Sequence, residues 1–143
     1  MRSGLVEETT RQRLLIVDDE ESTRLLLAQM LSRDLGADIQ LAGTSVQALR
    51  FAETYAYDAI LLDLVMPGLD GFALLKQIRA GTPNATTPVI IVSMLGDETT
   101  RARTYAAGAS AYHVKPVRRA ELVAAVKAQL AARGKPKPTV RER

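Results

Sequence analysis

The chain has 143 residues, which is the size of a single domain and long enough to bury a substantial core. It contains no cysteine, which excludes disulfide bonds, thiolate metal sites and cysteine nucleophiles, and a reducing, cytoplasmic setting is expected. No apolar run approaches the roughly 20 residues that a membrane span requires, so no membrane association is expected.

The net charge of +3 is concentrated at the carboxyl end of the chain. Residues 133–143 carry five basic side chains and one acidic one, a local balance of +4, so the other 132 residues sum to −1. No basic patch is therefore expected on the folded body, and direct nucleic-acid binding is not expected. Composition divides the chain into a flexible arm over 1–12, a folded domain over 13–133, and a basic, proline-containing tail or linker over 134–143.

Five short apolar runs, each followed by a helical pattern, predict strands that alternate with helices. The predicted strands are 14–17, 39–42, 58–63, 88–93 and 111–114. The predicted helices are 22–35, 45–54, 70–80, 97–107 and 118–133, of which the fourth has few large apolar residues and is expected to pack lightly. Strands that are apolar throughout indicate a parallel sheet covered on both faces, so the fold class is α/β, a doubly wound (βα)5 domain.

Several residues have expected local roles in this arrangement. Gly36 is expected to end the first helix, and Asp70 to cap the third. Other glycines are expected in turns that require special backbone angles: Gly68, Gly71 and Gly108. The apolar residues of the first helix recur at helical spacing and are expected to lie in the core: Leu25, Leu26, Met30, Leu31 and Leu35.

Polar side chains of reactive type follow four of the five predicted strands. They are Asp18 and Asp19 after the first, Asp63 at the end of the third, Ser93 at the end of the fourth, and Lys115 after the fifth. Because ligands of doubly wound sheets bind beyond the carboxyl ends of the strands, these side chains are expected to converge on one site.

Three carboxylates at one edge repel one another unless a cation lies between them. Mg²⁺ favours a few carboxylates, a backbone carbonyl and retained waters, and Mn²⁺ can take its place. A carboxylate nucleophile, a divalent metal and a lysine together form a site that is suited to accept a phosphoryl group. The hydroxyl of Ser93 is suited to bind a phosphoryl oxygen.

The sequence resembles the receiver domain of two-component response regulators over residues 14–133. Four segments carry the resemblance: Ile16-Val17-Asp18-Asp19-Glu20, Leu62–Gly71, Ile91-Val92-Ser93 and Ala107–Pro116. The resemblance implies a flavodoxin-like sheet of order 2-1-3-4-5. It also implies a signalling switch rather than an enzyme that turns over a substrate, although the domain takes part in its own phosphorylation and dephosphorylation.

The resemblance assigns a role to each site residue. Asp63 is the phosphoacceptor; Asp19 and Asp63 bind the metal directly, Asp18 acts through water, and the backbone carbonyl of Val65 completes the protein ligands. Lys115 pairs with the phosphoryl group and forms a cis peptide bond with Pro116. Ser93 and Tyr112 move together as the switch, which alters the face of helix 4, strand 5 and helix 5.

The implied partners are a histidine kinase or histidine phosphotransfer protein as phosphodonor and a downstream effector protein. A second copy in a homodimer is an open alternative. The Ser110-Ala111 pair lacks the acidic residues that winged-helix transcription factor receivers often carry there, which weakens the case for a dimer of that type. No residues after 143 are given for an output domain. The alternatives are thus a stand-alone receiver or one excised from a longer regulator.

Simpler interpretations compete at single residues. Asp18 and Asp19 also suit an acidic helix start. Ser93 also suits a cap or loop hydroxyl, and Tyr112 also suits a half-buried strand aromatic. His113, the single histidine, has no matching motif and is expected to be an ordinary strand or surface residue.

Two residues depart from the usual receiver pattern. Met94 stands where small residues are usual, and its bulk is expected to narrow access to Asp63 and slow phosphoryl transfer. Val65 offers no polar side chain to orient a water, so a long phosphoryl lifetime is expected.

Rival functions of α/β domains require other residues at these positions. A haloacid-dehalogenase-type phosphatase requires Asp-x-Asp after the first strand, whereas Asp18 and Asp19 are adjacent. Flavin binding requires a phosphate loop after that strand, and none is present. The remaining rival is a phosphorylation-independent interaction or dimerisation module, against which the retained acidic residues argue.

Overall fold

The structure, a computed structural model, describes residues 11–66 and 70–134. Most of the expected arm, Pro67 and Gly68 of the expected turn, and residues 135–143 of the expected tail lie outside the described residues. Strands and helices alternate along the described chain, as predicted. They are β1 (Arg13–Val17), α1 (Glu21–Leu35), β2 (Asp38–Ala42), α2 (Ser45–Thr54), β3 (Ala59–Leu62), α3 (Gly71–Arg79), β4 (Val89–Ser93), α4 (Glu98–Ala106), β5 (Ala111–Val114) and α5 (Arg119–Gly134).

The five strands form one parallel sheet in the order β2-β1-β3-β4-β5, which confirms the expected topology. Val17 lies opposite Leu62 across β1 and β3, and Leu62 lies opposite Ile91 in β4. The central strands therefore end at nearly the same level. The residues that follow them leave the sheet side by side.

Alternate residues of each strand face opposite sides of the sheet, and each side is covered by helices. On one side Leu14, Ile16 and Leu61 pack with apolar residues of α1 and α5, among them Leu31 and Leu122. The other side packs against α2 and α3, through side chains that include Ala48, Ala52, Leu74, Leu75 and Ile78. Only one residue of α4, Thr104, is buried, in agreement with the expected light packing of this helix.

The buried face of α1 differs from the expected one. Leu27 and Leu31 are buried, whereas Leu25 is 50% exposed and Leu26 is 52% exposed. The apolar residues of this helix outnumber the positions that one face can bury, and the helix is rotated so that Leu27 enters the core. Two large side chains therefore remain on the surface of α1.

Three of the four glycines with predicted roles lie within the described residues. Gly36 ends α1 in the left-handed conformation, and Gly108 has a φ of 115°, so these two predictions are confirmed. Gly68 lies outside the described residues. Gly71 does not have a positive φ, so the prediction of a special angle is wrong for it. The reason for glycine there is close approach, because a Cβ on Gly71 would stand 2.5 Å from the Cα of Leu64.

The end of α5 is bonded to residues at the amino ends of the strands, at the end of the sheet opposite Asp63. The Arg133 guanidinium donates a 2.6 Å hydrogen bond to the carbonyl of Tyr57 and lies 3.6 Å from the Asp58 carboxylate. Tyr57 and Asp58 immediately precede β3.

In the part of the chain that the structure describes, no helix combines the length and the apolar character that crossing a membrane would require.

Replacing Gly71 by alanine is expected to lower the free energy of unfolding by about 1–3 kcal/mol, because the new methyl group meets rigid backbone. Urea unfolding measures the change. Gly96→Ala is the matched control, since its Cβ would instead meet a side-chain methyl of Val114 at 3.2 Å. Equal losses in the two variants would contradict the explanation from close approach.

Candidate functional site

The carboxyl edge of the sheet brings together three of the predicted carboxylates. One oxygen from each of Asp18, Asp19 and Asp63 lies within 4.8 Å of the others. Asp18 and Asp63 are buried, and Asp19 is exposed. The register explains the meeting, because Asp18 and Asp63 directly follow the opposed residues Val17 and Leu62. The Asp63 amide also donates to the carbonyl of Val17 at 3.0 Å.

Lys115 joins this cluster from the end of β5. Its ammonium lies 2.8 Å from a carboxylate oxygen of Asp18 and 3.3 Å from one of Asp63. The main chain of Lys115 is fixed by a 2.8 Å hydrogen bond from its amide to the carbonyl of Ser93. A single positive charge thus bridges two buried negative charges that directly follow strands β1 and β3.

Burial and charge affect the two partners in opposite ways. Burial raises the pKa of the Asp63 carboxyl, and the amide of Val65 and the charge of Lys115 reverse only part of that rise. Burial alone would lower the pKa of Lys115, but the hydrogen bond to Asp18 and the charges of Asp63 and Asp18 outweigh it, so the pKa is raised. Lys115 therefore stays charged, while ionised Asp63 is held at a free-energy cost.

The acidic cluster fits a divalent cation. Hard cations take carboxylate oxygens, and converging carboxylates with one exposed member leave a side open to solvent and to further ligands. Asp19 is that exposed member. The Val65 amide donates to an oxygen of Asp63 at 3.1 Å, which places this peptide against the cluster. The role of the Val65 carbonyl as a ligand stays a prediction.

Ser93 and Tyr112 meet at a common neighbour. The fully buried Ser93 hydroxyl accepts a 3.2 Å hydrogen bond from the Leu95 amide, and the Tyr112 hydroxyl donates to the Leu95 carbonyl at 2.5 Å. Tyr112 is buried, which raises the pKa of its hydroxyl, while the nearby Ser93 hydroxyl opposes that rise. Both side chains thus contact the backbone of the β4–α4 loop, and Tyr112 points inward.

The remaining site predictions fall on the rim. The peptide bond between Lys115 and Pro116 is cis. Met94 is 71% exposed and lies beside a groove that extends from Lys115 along α1. Its effect on the rate of phosphoryl transfer stays a prediction. His113 is partly buried in β5 and is not part of the acidic cluster.

Sequence reasoning missed one residue that contacts this cluster. The guanidinium of Arg24, the fourth residue of α1, donates to the backbone carbonyl of Asp18 at 2.7 Å. A signal for it existed, because a basic residue near a helix amino terminus is opposed by the helix dipole and requires a local acceptor. The exposed Leu25 and Leu26 were also missed as surface residues, because their helical spacing resembled that of a core face.

Comparison with known proteins places this geometry in a family. The pattern of the response regulator receiver domain matches residues 14–127. The chain is 38% identical over 125 residues to the transcriptional regulatory protein ResD of Bacillus subtilis, covering 87% of this chain and 50% of ResD. The chain thus spans about half the length of the curated relatives that it matches.

Solved receiver domains have the same fold. The receiver domain of the Francisella response regulator 1452 superposes with a TM-score of 0.79 at 30% identity, covering 86% of this chain and 99% of that one. The receiver domain of the sensor histidine kinase PA1611 from Pseudomonas aeruginosa gives a TM-score of 0.77 at 33% identity, covering 85% of this chain and 99% of that one. The latter structure has a magnesium ion coordinated in its active-site cleft.

The fold and the acidic site define a signalling domain of two-component systems. The chain belongs to the response regulator receiver domain family. This membership decides against a dehalogenase-type phosphatase and against a flavin protein.

Replacing Asp63 by asparagine is expected to stabilise the metal-free protein at pH 7 by about 1 kcal/mol, the usual size of a single-residue effect. Since burial raises the folded-state pKa of Asp63, its ionised form destabilises the fold above that pKa, and lowering the pH relieves the penalty. The advantage of Asp63→Asn should therefore shrink on acidification, and also on addition of Mg²⁺.

Urea unfolding with and without Mg²⁺ measures this effect. Asp38→Asn, at an exposed aspartate at the start of β2, is the matched control for the metal and is expected to show no dependence on Mg²⁺. A metal-free Asp63→Asn protein that is less stable than wild type at pH 7 would contradict the expectation.

Proposed function

We propose that this receiver domain accepts a phosphoryl group on Asp63 and changes its partner-binding surface in response. The observation that carries the proposal is the buried Asp63 carboxylate, held next to Asp18 and Asp19 and contacted by the Lys115 ammonium. Three carboxylates that share one ammonium would be costly in a purely structural role. This arrangement is suited to a group that brings additional negative charge together with a metal.

The transfer is a substitution at phosphorus. A carboxylate oxygen of Asp63 forms a bond to phosphorus as the bond from phosphorus to the donor nitrogen breaks, and the imidazole leaves with the electron pair and takes up a proton. Lys115 is placed to pair with the added phosphoryl oxygens. The Ser93 hydroxyl, which can give up its contact with the Leu95 amide, is available to donate to one of them.

The proposed metal is Mg²⁺ or Mn²⁺, held by Asp19 and Asp63 directly and by Asp18 through water, with the Val65 carbonyl as a further ligand. Bound there, the cation neutralises carboxylate charge and shields the charge of the entering phosphoryl group. The close spacing of the three carboxylates supports this assignment. Both carboxylate oxygens of Asp18 already accept a hydrogen bond, one from the Glu20 amide and the other from Lys115. These bonds support a role for Asp18 through water rather than by direct contact with the metal.

The proposed donor is a histidine kinase or a histidine phosphotransfer protein. A donor histidine must reach Asp63, so the surface of the donor protein around that histidine must contact the rim of the site. The apolar part of that rim is formed by Leu26 and Met30 of α1 together with Met94, Pro116 and Val117. Leu26, which is exposed on α1 and lines the groove that reaches Lys115, supports a donor with a complementary apolar helix surface. Because such donors are phosphorylated from ATP, we place the domain in the cytoplasm.

The proposed output face comprises α4, β5 and α5. Ser93 and Tyr112 both bind the backbone of Leu95, so a move of Ser93 toward a phosphoryl group changes the loop that holds the tyrosine hydroxyl. The Arg101 guanidinium lies 4.9 Å from the Tyr112 ring centroid, which links the ring to the surface of α4. Tyr105 and Val114 expose apolar surface on this face to a downstream effector.

Two features bear on assembly. The Ser110 hydroxyl is used within the domain, where it accepts from the Val89 amide at 3.1 Å, so this position offers no charged contact to a second copy. A homodimer remains an outcome to be measured rather than part of the proposed mechanism. We propose 13–133 as the receiver unit, with 1–12 as an arm and 134–143 as a tail or linker.

Incubation with radiolabelled acetyl phosphate and Mg²⁺ is expected to label the wild-type protein and not Asp63→Asn. The label should require the metal and should be stable to acid but labile to base, as expected of an acyl phosphate. Asp38→Asn is the matched control and should label like wild type.

The contrary outcome has a distinct meaning. If neither protein is labelled, the circular dichroism spectrum is that of a folded domain, and beryllofluoride does not bind, the domain is a phosphorylation-independent interaction module. Labelling of Asp63→Asn at the wild-type level would instead move the acceptor to another residue.

Replacing Val65 by asparagine is expected to shorten the phosphoryl half-life by about tenfold, because an amide next to the acceptor can orient an attacking water. The exposed side chain of Val65 leaves room for the change. Loss of label after removal of free acetyl phosphate measures the half-life. Val46→Asn, at an exposed valine of α2, is the matched control, and an equal or longer half-life in Val65→Asn would refute the expectation.

A further inference from the structure

Asp18 is bound at every polar atom. Its amide donates to the Ala42 carbonyl at 3.2 Å, and its carboxylate oxygens accept from the Glu20 amide and the Lys115 ammonium at 2.9 and 2.8 Å. Its carbonyl accepts from Arg24 at 2.7 Å, the shortest of the four contacts. Arg24 is therefore the group that fixes the peptide leading from Asp18 into Asp19.

The position of Arg24 depends on a residue from a different loop. A Cβ on Gly43, which follows β2, would stand 2.8 Å from the Nη1 atom of Arg24, the same nitrogen that binds the Asp18 carbonyl. Gly43 does not have a positive φ, so its backbone does not require glycine. The absent side chain instead leaves the space that the guanidinium occupies.

We propose that Arg24 is a positioning residue, and that Arg24 and Gly43 together hold the Asp18–Asp19 peptide so that Asp19 is presented to the metal. The inference rests on the proposed metal site. Asp19 is exposed and lies in the short segment between β1 and α1, so its carboxylate is placed by its backbone. Fixing the preceding carbonyl removes conformational freedom that metal binding would otherwise have to restrict.

A positioning role and a purely electrostatic role of Arg24 predict opposite changes in metal affinity when Arg24 is removed. A guanidinium near an acidic site repels a cation, so its removal should tighten metal binding if charge alone matters. If Arg24 positions Asp19, its removal should weaken metal binding in spite of the lost repulsion. Gly43→Ala separates the two effects further, because it displaces the guanidinium and leaves its charge in place.

The experiment measures the dissociation constant of Mn²⁺ by electron paramagnetic resonance of the free ion, and that of Mg²⁺ by competition. The proteins are wild type, Arg24→Ala, Gly43→Ala, the double variant, and Arg33→Ala as a charge-matched control at the end of α1. We expect Arg24→Ala and Gly43→Ala each to weaken binding by about tenfold, a usual effect of losing a group that orients a metal ligand. The double variant should be no weaker than Arg24→Ala, because both changes break one contact.

Tighter or unchanged binding in Arg24→Ala overturns the proposal, as does unchanged binding in Gly43→Ala. Equal weakening in Arg33→Ala also overturns it, since that result would come from net charge. Circular dichroism and urea unfolding in the absence of metal check that each variant is folded. If Arg24→Ala is not folded, Gly43→Ala still tests the proposal. Wild-type protein that binds no Mn²⁺ overturns the metal site itself, whereas wild-type binding with unaltered variants overturns the role of Arg24 alone.

Discussion

The contact on which the functional edge depends is the Lys115 ammonium placed between the buried carboxylates of Asp18 and Asp63. Two carboxylates that share a poorly solvated edge repel each other strongly, and the fold tolerates them because a fixed cation lies within hydrogen-bonding distance of both. One ammonium cannot balance three carboxylates. The edge therefore keeps an excess of negative charge, which is the physical reason why a divalent ion would fit there.

The sheet converts this local charge balance into a defined site. Strand β3 is apolar throughout, and β1 and β4 are apolar except for Arg13 at the start of β1 and Ser93 at the end of β4. The reactive side chains of the site therefore lie at the carboxyl ends of these strands or directly after them. The level ends of β1 and β3 set the separation of Asp18 and Asp63. Beyond β4, the backbone of Leu95 is hydrogen-bonded to the hydroxyls of both Ser93 and Tyr112. One loop residue therefore connects the edge that carries Asp63 with the face formed by α4, β5 and α5.

Much of this could be predicted from the sequence, for identifiable reasons. The parallel sheet and the composition of the site follow from apolar runs that end in Asp18, Asp63, Ser93 and Lys115, since parallel strands bring their carboxyl ends together. The strand order follows from the resemblance to receiver domains and not from the apolar runs. The rotation of α1 could not be predicted, because its leucines fit more than one buried face and only tertiary packing selects Leu27 over Leu26. The reason for glycine at position 71 was also hidden, since contact with the backbone of Leu64 depends on residues whose approach no local pattern specifies.

The anchoring of α5 has a consequence for how such a domain can be built into a larger assembly. Because Arg133 is bonded to the residues that precede β3, the chain arrives at position 134 on the side of the sheet remote from Asp63. A segment attached at that point would begin at the amino ends of the strands, away from Asp63. The phosphoryl transfer proposed above and a covalent attachment at position 134 would then take place at opposite ends of the sheet.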